Sequence, residues 1–312
     1  MCGIIGIISE EDVSSSIYES LTVIQHRGQD AAGMATLEDG KLHVRKQIGL
    51  VREVFRAQHI KNLKGKMGIG HVRYPTAGGV TREFSQPLYV NSPYGISICH
   101  NGNLVNSKEL TQELYENDLR HLNTDSDSEV ILNIFANEMQ KINSQSPSPE
   151  EIFSAVEKMH LRLKGAYSVV LMISGVGLLA IRDPNGIRPL MMGKKENDLL
   201  GKTDYMFASE SPALDALDFE ILGDLKPAEA VFVSLEGKMS RKICHNSPQH
   251  SPCIFEYVYL ARPDAVIEEI SVLKSRLRMG QKLGKKINSI YPNSKIDAVI
   301  PIPESSTSSA IE

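Results

Sequence analysis

The sequence predicts a layered α+β domain that ends near Leu235, followed by the beginning of a second domain. Short β-like runs alternate with amphipathic stretches through the first 235 residues, and a long segment with one apolar side comes later. Many short strands with interspersed helices are typical of layered architectures. A chain of 312 residues, 41% of them hydrophobic, is long enough for about two domains.

The elements of the first domain follow from periodicity and from end signals. Ser14 to Gln25 has apolar residues at helical spacing. Ser126-Asp127-Ser128-Glu129 has the form of a capping box and begins a second helix, and Ser148-Pro149 begins a third. Short apolar runs predict strands at Met67 to Val72, Ile96 to Cys99, Ser168 to Ile173, Gly177 to Ile181, Met206 to Ser209 and Ala230 to Leu235.

The last part of the chain predicts one long helix and one buried strand. The helix runs from Val266 to Ile290, with Ile270, Leu273, Leu277, Leu283, Ile287 and Ile290 on its apolar side, and the strand runs from Asp297 to Pro303. Because one strand and one helix cannot enclose a core, we expect the sequence to be a fragment of a longer protein. The predicted division is a first domain at 2–236, a connecting segment at 237–265 and an incomplete second domain at 266–312.

Composition argues against nucleic-acid and membrane partners. The 34 basic and 38 acidic side chains give a net charge of −4, and no apolar run is long enough to span a bilayer. The apolar N-terminus has no preceding basic segment, so it lacks the features of a signal peptide. Four cysteines do not make a disulfide scaffold in a chain of this length, so the sequence predicts a cytoplasmic location.

Cys2 is the strongest candidate for a catalytic residue. Removal of Met1, expected before so small a residue, leaves a cysteine with both a thiol and a free α-amine. The thiolate is a strong nucleophile, and an α-amine with a pKa of about 7.7–8.0 can hold or release a proton near neutral pH. The alternative is that Cys2 is a small apolar residue at the start of a strand.

Three other positions have both a functional and a structural interpretation. Arg73 follows a predicted strand and could bind a carboxylate through two parallel hydrogen bonds, or it could be a surface arginine. Asn101-Gly102 could supply a side-chain amide and a backbone N–H to one oxyanion, or it could form a type I′ turn. Asp127 could pair with an ammonium group, or it could cap the N-terminus of the helix.

The motifs around these residues occur in the order Cys2-Gly3-Ile4, Gln25 to Gly33, His71-Val72-Arg73-Tyr74-Pro75-Thr76, His100-Asn101-Gly102-Asn103-Leu104 and Ser126-Asp127-Ser128-Glu129. Together they closely resemble the class II glutamine amidotransferases. That resemblance implies an N-terminal-nucleophile hydrolase with an αββα sandwich fold.

The resemblance also implies a role for each residue. Cys2 would attack the glutamine carboxamide while its own α-amine shuttles the proton, and Asn101 and Gly102 would bind the oxyanion. Arg73 would hold the α-carboxylate of glutamine, and Asp127 its α-ammonium group. Further residues that the resemblance places in the pocket are Tyr74 and Thr76, which line the loop after Arg73, and Arg27, which orders the pocket.

The second half of the chain resembles the members of this family that pass ammonia to phosphoribosyl pyrophosphate. The motifs that carry this resemblance are Arg182-Asp183-Pro184-Asn185-Gly186-Ile187-Arg188-Pro189-Leu190, Cys253 to Asp264, and Val299 to Ser305. It implies formation of 5-phosphoribosylamine in the first committed step of purine synthesis, inhibition by purine nucleotides and a homo-oligomer at full length. The second domain would be a type I phosphoribosyltransferase.

The resemblance has consequences for cofactors. Phosphoribosyl transfer in this family uses Mg²⁺, and only Ser305 falls at a metal-proximal position, because the later pyrophosphate loop has no counterpart in this sequence. Cys253 matches a ligand position of members with a [4Fe–4S] cluster, but here Cys2 directly follows Met1, as in members without one. A cluster is therefore not expected.

Alternatives remain at this stage. Cys244-His245, His250 and Cys253 could suggest zinc, although their spacing fits no usual structural site. Another class II enzyme, such as a glucosamine-6-phosphate or asparagine synthetase, would share the first half but not Phe255 to Asp264. An inactive fragment is the third alternative.

Overall fold

Two antiparallel β-sheets packed face to face form the centre of the fold, and helices lie on both outer faces. This is the predicted αββα sandwich. The computed structural model describes residues 2–74, 82–197, 201–293 and 295–312.

The first sheet has seven strands, and β1 lies in its middle. In spatial order the strands are β11 (Glu220–Asp224), β9 (Met191–Asn197), β10 (Lys202–Ala208), β1 (Gly3–Ile8), β4 (Met67–Arg73), β2 (Ala31–Glu38) and β3 (Lys41–Ile48). Its outer face packs against α1 (Ser14–Val23), α2 (Val51–Val54), α3 (Ala57–Asn62) and α7 (Ser211–Asp215). Gly3 is opposite Val72 in the β1–β4 register, so Cys2 lies beside Arg73 at one end of the sheet.

The second sheet has six strands. Their order is β13 (Met239–Ile243), β12 (Glu229–Ser234), β8 (Gly177–Arg182), β7 (Gly165–Ile173), β6 (Ile96–Leu104) and β5 (Leu88–Val90). Its outer face packs against α4 (Ser107–Glu116), α5 (Asp127–Ile142) and α6 (Pro149–Arg162). Since β5 pairs only with residues 96–98, the second half of β6 has a free edge among the described strands.

The layer between the sheets is apolar. Ile4, Ile69, Cys99, Val170 and Phe207 are fully buried there. Each fully buried side chain of this size contributes about 1.5–3 kcal/mol to the stability of the fold. The two sheets are therefore fixed relative to each other, and so are groups that project from both sheets at one end.

Beyond β13 the chain forms smaller elements. They are a π-helical turn (Glu256–Leu260), the hairpin strands β14 (Val266–Ile267) and β15 (Ile270–Ser271), α8 (Val272–Ile290) and α9 (Thr307–Ile311). The predicted long helix thus begins at Val272 rather than Val266, because the preceding residues pair as a hairpin. The buried residues of α8 are Val272, Arg276 and Gly280, whereas Leu273, Leu283 and Ile290 on its predicted apolar side are exposed.

Three further predictions need correction. The boundary at residue 236 falls inside a hairpin, because β13 pairs with β12 and extends the second sheet to Ile243. Asp297 to Pro303 is not a strand in the described part of the chain, and Ile300 there is 87% exposed. At the start of α5, Ser126 is the N-cap but there is no capping box, because the Glu129 carboxylate accepts hydrogen bonds from Asn123 and Thr124 instead.

Among the described residues, no helix is long and apolar enough to cross a membrane.

Candidate functional site

A cleft at one end of the sandwich brings most of the predicted site residues together. It is lined by Cys2, Arg73, Tyr74, Phe84, Gln86, His100, Gly102, Asn103, Ser107 and residues 125–128. Cys2 and Arg73 come from the first sheet, whereas Asn101 and Gly102 come from β6 of the second. The cleft therefore lies where the two sheets meet.

A hydrogen bond across the two sheets joins Cys2 to Asn101. The backbone nitrogen of Cys2 donates to Asn101 Oδ1 at 3.1 Å, and Asn101 is fully buried. Because Oδ1 is used in this way, the orientation of the amide is fixed. Its Nδ2 has no hydrogen-bond partner among the described residues and is buried, so it remains available to a group bound beside Cys2.

The free edge of β6 directs a backbone donor at the same place. His100 N donates to Gln86 Oε1 at 2.7 Å, and Leu104 N donates to Asp127 Oδ2 at 3.0 Å. Alternate residues of a strand direct their N–H groups to the same edge, so the N–H of Gly102 lies between these two and faces the cleft. With Asn101 Nδ2 it forms a pair of donors that can bind one oxyanion.

Gly102 lies within a strand and not in a turn. Its φ is +157°, and a Cβ there would lie 2.0 Å from the Ala166 carbonyl oxygen. β6 continues in register with β7 from Ile96 to Leu104, so the type I′ turn considered for Asn101-Gly102 is wrong. Glycine is required because the neighbouring strand approaches too closely for a side chain.

Arg73 and Asp127 line the cleft as predicted. Arg73 is buried at the end of β4, with its guanidinium carbon 5.4 Å from the centre of the Phe84 ring, a cation–π distance. Gly28 lies against the Arg73 backbone, where a Cβ would be 2.6 Å from Arg73 N. Asp127 is in the first turn of α5, and its Oδ1 is 3.8 Å from His100 Nδ1.

A neutral hydrogen-bond network lies behind β6. Ser128 Oγ accepts from Gln86 Nε2 at 2.9 Å and is also 2.9 Å from His100 Nδ1. Burial lowers the pKa of His100, so the imidazole is neutral near pH 7. Sequence reasoning missed Gln86 and Ser128 as site residues, because neither residue type in isolation indicates a site.

The Cys2 thiol is half-buried, and its Sγ is 3.7 Å from the Tyr74 carbonyl oxygen. Burial raises the pKa of this thiol, and Asp127 raises it further, whereas Arg73 opposes the shift. The protonated thiol is therefore favoured at neutral pH, so a nearby base is needed to take its proton during attack.

Arg27 lies directly behind Cys2, as the resemblance implies. Its Nε donates to the Cys2 carbonyl oxygen at 3.0 Å, and its guanidinium contacts the Glu210 and Glu256 carboxylates. The sequence offered a signal for Glu256 that was not used, because an acid inside the apolar run Ile254 to Val258 must find a partner if it is buried.

The other predicted residues differ in their placement. Tyr74 lines the cleft, although its side chain is 51% exposed, and Thr76 lies outside the described residues. Ser305 is in the turn before α9. Across the described ranges no group of three or more His, Cys, Asp or Glu side chains could hold a metal ion, which includes the Cys244 to Cys253 region considered for zinc.

Comparison with known proteins identifies the family. A family model described as a glutamine amidotransferase domain matches residues 79–216. The chain is 53% identical over 312 residues to the amidophosphoribosyltransferase of Pseudomonas aeruginosa and 44% identical over 321 residues to that of Saccharomyces cerevisiae. The chain belongs to the glutamine amidotransferases. It is covered completely in both comparisons and spans 62% of each relative.

Solved structures agree with this assignment. Glutamine phosphoribosylpyrophosphate amidotransferase from B. subtilis, complexed with ADP and GMP, is 33% identical, with a TM-score of 0.82 over 99% of this chain and 63% of the other. A structure described as the allosteric regulatory enzyme of purine biosynthesis is 34% identical, with a TM-score of 0.84 over 99% and 62%. The N-terminal-nucleophile type of sandwich is thereby confirmed for this amidotransferase.

Proposed function

We propose that this chain hydrolyses glutamine at Cys2, releasing glutamate and ammonia. The observation that carries the proposal is the hydrogen bond from Cys2 N to Asn101 Oδ1, which leaves Asn101 Nδ2 and the Gly102 N–H directed at the space beside the thiol. These two donors stabilise the oxyanion that forms when Sγ attacks the carboxamide carbon.

The proton passes through the α-amine of Cys2 in this mechanism. Once Met1 is removed, that nitrogen is an amine with an ordinary pKa of about 7.7–8.0, so it can take the thiol proton and deliver it to the leaving ammonia. The Sγ atom then carries a γ-glutamyl thioester. Attack of water on the thioester carbonyl releases glutamate and restores the thiol.

Arg73 and Asp127 bind the two charged ends of glutamine. Arg73 donates hydrogen bonds to the α-carboxylate through its fork of N–H groups, and Asp127 accepts hydrogen bonds from the α-ammonium group. Phe84 holds the Arg73 guanidinium from one side. Arg27 orders the pocket through its bond to the Cys2 carbonyl oxygen. Tyr74 lines the same cleft, and Thr76, which lies outside the described residues, is proposed to bind the substrate with it.

At the full length of its relatives, the protein would use the ammonia to convert phosphoribosyl pyrophosphate to 5-phosphoribosylamine in purine synthesis. This part of the proposal rests on identity that continues through the second half of the chain, which does not favour another class II enzyme. The neighbour bound to ADP and GMP supports regulation by purine nucleotides. A homo-oligomer in the cytoplasm, a first domain that ends at Ile243 and an incomplete second domain from residue 266 are part of the same proposal.

Mg²⁺ belongs to the phosphoribosyl half of the reaction. Ser305 is a single hydroxyl, and no acidic cluster accompanies it in the described part of the chain, so these residues do not fit a magnesium site by themselves. Cys253 is a free, half-buried thiol, and a [4Fe–4S] cluster is not part of the proposal.

Glutamate release from glutamine tests the proposal directly. The intact mass of the purified chain first establishes that Met1 is absent. Cys2→Ala should abolish glutamate release, whereas Cys253→Ala, at another half-buried free thiol, should keep it. Release that survives Cys2→Ala would contradict the assignment of the nucleophile.

A further inference from the structure

The nucleophile is held from behind by a buried cluster of three charged side chains. Arg27, Glu210 and Glu256 all have side chains that are at most 2% exposed. Arg27 follows α1 in the short 3₁₀ turn Gln25–Arg27, and its Nε–H donates to the Cys2 carbonyl oxygen. A cluster this deeply buried is costly to desolvate, so its geometry must satisfy its hydrogen bonds.

The two carboxylates contact the guanidinium differently. Glu256 accepts from both terminal nitrogens, Nη1 to Oε2 and Nη2 to Oε1, each at 2.9 Å. Glu210 accepts from Nη1 alone, and its carboxylate is shared with His26 Nε2 at 2.9 Å and Arg262 N at 3.0 Å. Only the Glu256 pair is bidentate.

A bidentate pair fixes orientation as well as charge. The guanidinium group is planar, so two parallel bonds to one carboxylate set both its plane and its rotation. The third direction of the same plane is then occupied by Nε–H, which points at the Cys2 carbonyl oxygen. Glu210 alone could neutralise Arg27, but one shared contact would leave the guanidinium free to rotate.

Glu256 comes from outside the sandwich. The sandwich ends at Ile243 with β13, and Glu256 begins the π-helical turn Glu256–Leu260 in the segment that connects the sandwich to α8. Arg262 in the same segment donates its backbone N–H to Glu210. The connecting segment thus contacts the cluster behind Cys2 at two points.

We propose that Glu256 is a positioning residue for the nucleophile, acting through the orientation of Arg27 on the Cys2 carbonyl group. The inference rests on the proposed glutamine hydrolysis. The reactivity of Cys2 would then depend on the position of the connecting segment. A displacement of residues 253–262 would lower turnover, although Glu256 does not line the cleft.

The test compares Glu256→Gln and Glu256→Asp in the whole chain. Glu256→Gln keeps the size of the side chain but replaces one acceptor oxygen by an N–H donor, which faces the donors of the guanidinium group. Aspartate keeps the charge but is too short for both contacts. We expect kcat for glutamate release to fall about 10- to 100-fold with Glu256→Gln and less with Glu256→Asp, because a misplacement of about 1 Å can cost about 100-fold. KM should change less than about twofold, since Arg73 and Asp127 are intact.

Glu229→Gln is the matched control. Glu229 is a buried carboxylate that accepts from Lys226 N and from Arg241 Nε, both at 2.7 Å, in a hairpin of the second sheet. The Glu229→Gln substitution should lower thermal stability without changing kcat for glutamate release. A merely structural role of Glu256 would make its variants behave in the same way.

The outcomes separate the two hypotheses. Wild-type kcat in either folded Glu256 variant, or a loss confined to KM, overturns the role of Glu256 while wild-type glutamate release still supports the proposed function. Absence of Cys2-dependent glutamate release in the wild type contradicts the proposed function itself. If Glu256→Gln does not fold, Glu256→Asp alone decides, because it retains the buried charge pair.

Discussion

Behind Cys2, on the side of the first sheet, the Arg27 guanidinium is buried against the carboxylates of Glu210 and Glu256. Behind Asn101, on the side of the second sheet, the buried polar groups are those of His100, Ser128 and Gln86, and they are neutral. The two halves of one cleft are therefore held by different interactions.

The difference follows from how the backbone is restrained in each half of the cleft. Asn101 and Gly102 are inside a long strand that is paired to β7 on one edge, so neutral hydrogen bonds are enough to complete its other edge. Cys2 precedes β1 and lies outside the paired residues, so strand pairing does not restrain it. Charge-assisted bonds supply the restraint there, at a larger desolvation cost.

Substitutions should therefore lower the free energy of unfolding more when they are made in the charged cluster behind Cys2 than in the neutral network behind Asn101. Removing a carboxylate from the buried ion cluster removes charge-assisted hydrogen bonds, each of which contributes about 1.5–3 kcal/mol. Removing one neutral hydrogen bond costs about 1 kcal/mol. The following substitutions test this comparison, from the largest expected effect to the smallest.

Glu210→Gln should lower the free energy of unfolding by about 3 kcal/mol at pH 7, because each unit by which folding lowers a carboxyl pKa corresponds to about 1.4 kcal/mol. Although burial opposes ionisation, Arg27 and His26 hold the pKa of the Glu210 carboxyl at about 2, against an ordinary 4.5. A depressed pKa stabilises the fold above the unfolded-state value, so this contribution is lost as pH falls from about 4.5 to about 2. Urea unfolding should show the difference between the two proteins shrinking over that range. Equal stabilities at pH 7 would contradict the comparison.

Asn101→Ala should lower kcat for glutamate release by about 100- to 1,000-fold, because one of two oxyanion donors is lost in the transition state. KM should change little, since the Asn101 amide does not bind the charged ends of glutamine. Asn137→Ala is the matched control, because Asn137 on α5 is also buried with an Nδ2 that has no partner among the described residues. A change confined to KM would exclude the oxyanion role.

Asp127→Asn should weaken glutamine binding and at the same time make the Cys2 thiol more reactive. The glutamine KM should rise about 10- to 150-fold, because a charge-assisted hydrogen bond contributes about 1.5–3 kcal/mol. Alkylation of Cys2 by iodoacetamide at fixed pH should become faster, because Asp127 raises the pKa of the Cys2 thiol. Arg73→Lys keeps its charge, so it should raise KM without accelerating alkylation. Slower alkylation of the Asp127→Asn protein would contradict the electrostatic account.

Local sequence signals predicted those parts of the fold that depend on local patterns. The helix begun by Ser148 and Pro149 has the predicted capping box and runs to Arg162. The strand predicted to end at Cys99 continues to Leu104. The predicted strand was too short because His100, Asn101 and Asn103 are polar, but in the structure these residues face the cleft or its supports. Tertiary contacts override the polar pattern there.

Residues in a recognisable motif, including Arg27, were predicted, whereas the supporting residues outside those motifs were not. Cys2, Arg73 and Gly102 line the cleft where the resemblance placed them. Gln86 and Glu210 are far from Cys2 in sequence. Gln86 contacts His100 on β6, and Glu210 contacts Arg27 because the strand that precedes Glu210 pairs with β1. Local sequence patterns contain no information about which buried acid will meet Arg27.

Ser128→Ala should have the smallest effect, a loss of about 1–2 kcal/mol in the free energy of unfolding. The substitution removes the acceptor of Gln86 Nε2 and the partner of His100 Nδ1, but every group left behind is neutral. The β6 backbone remains paired to β7, so Asn101 should keep its bond to Cys2 N and kcat should fall by less than about tenfold. Thermal unfolding and glutamate release, measured beside Glu210→Gln, compare the two sides of the cleft. A loss in Ser128→Ala as large as that in Glu210→Gln would mean that the neutral network restrains the cleft as strongly as the buried charges do.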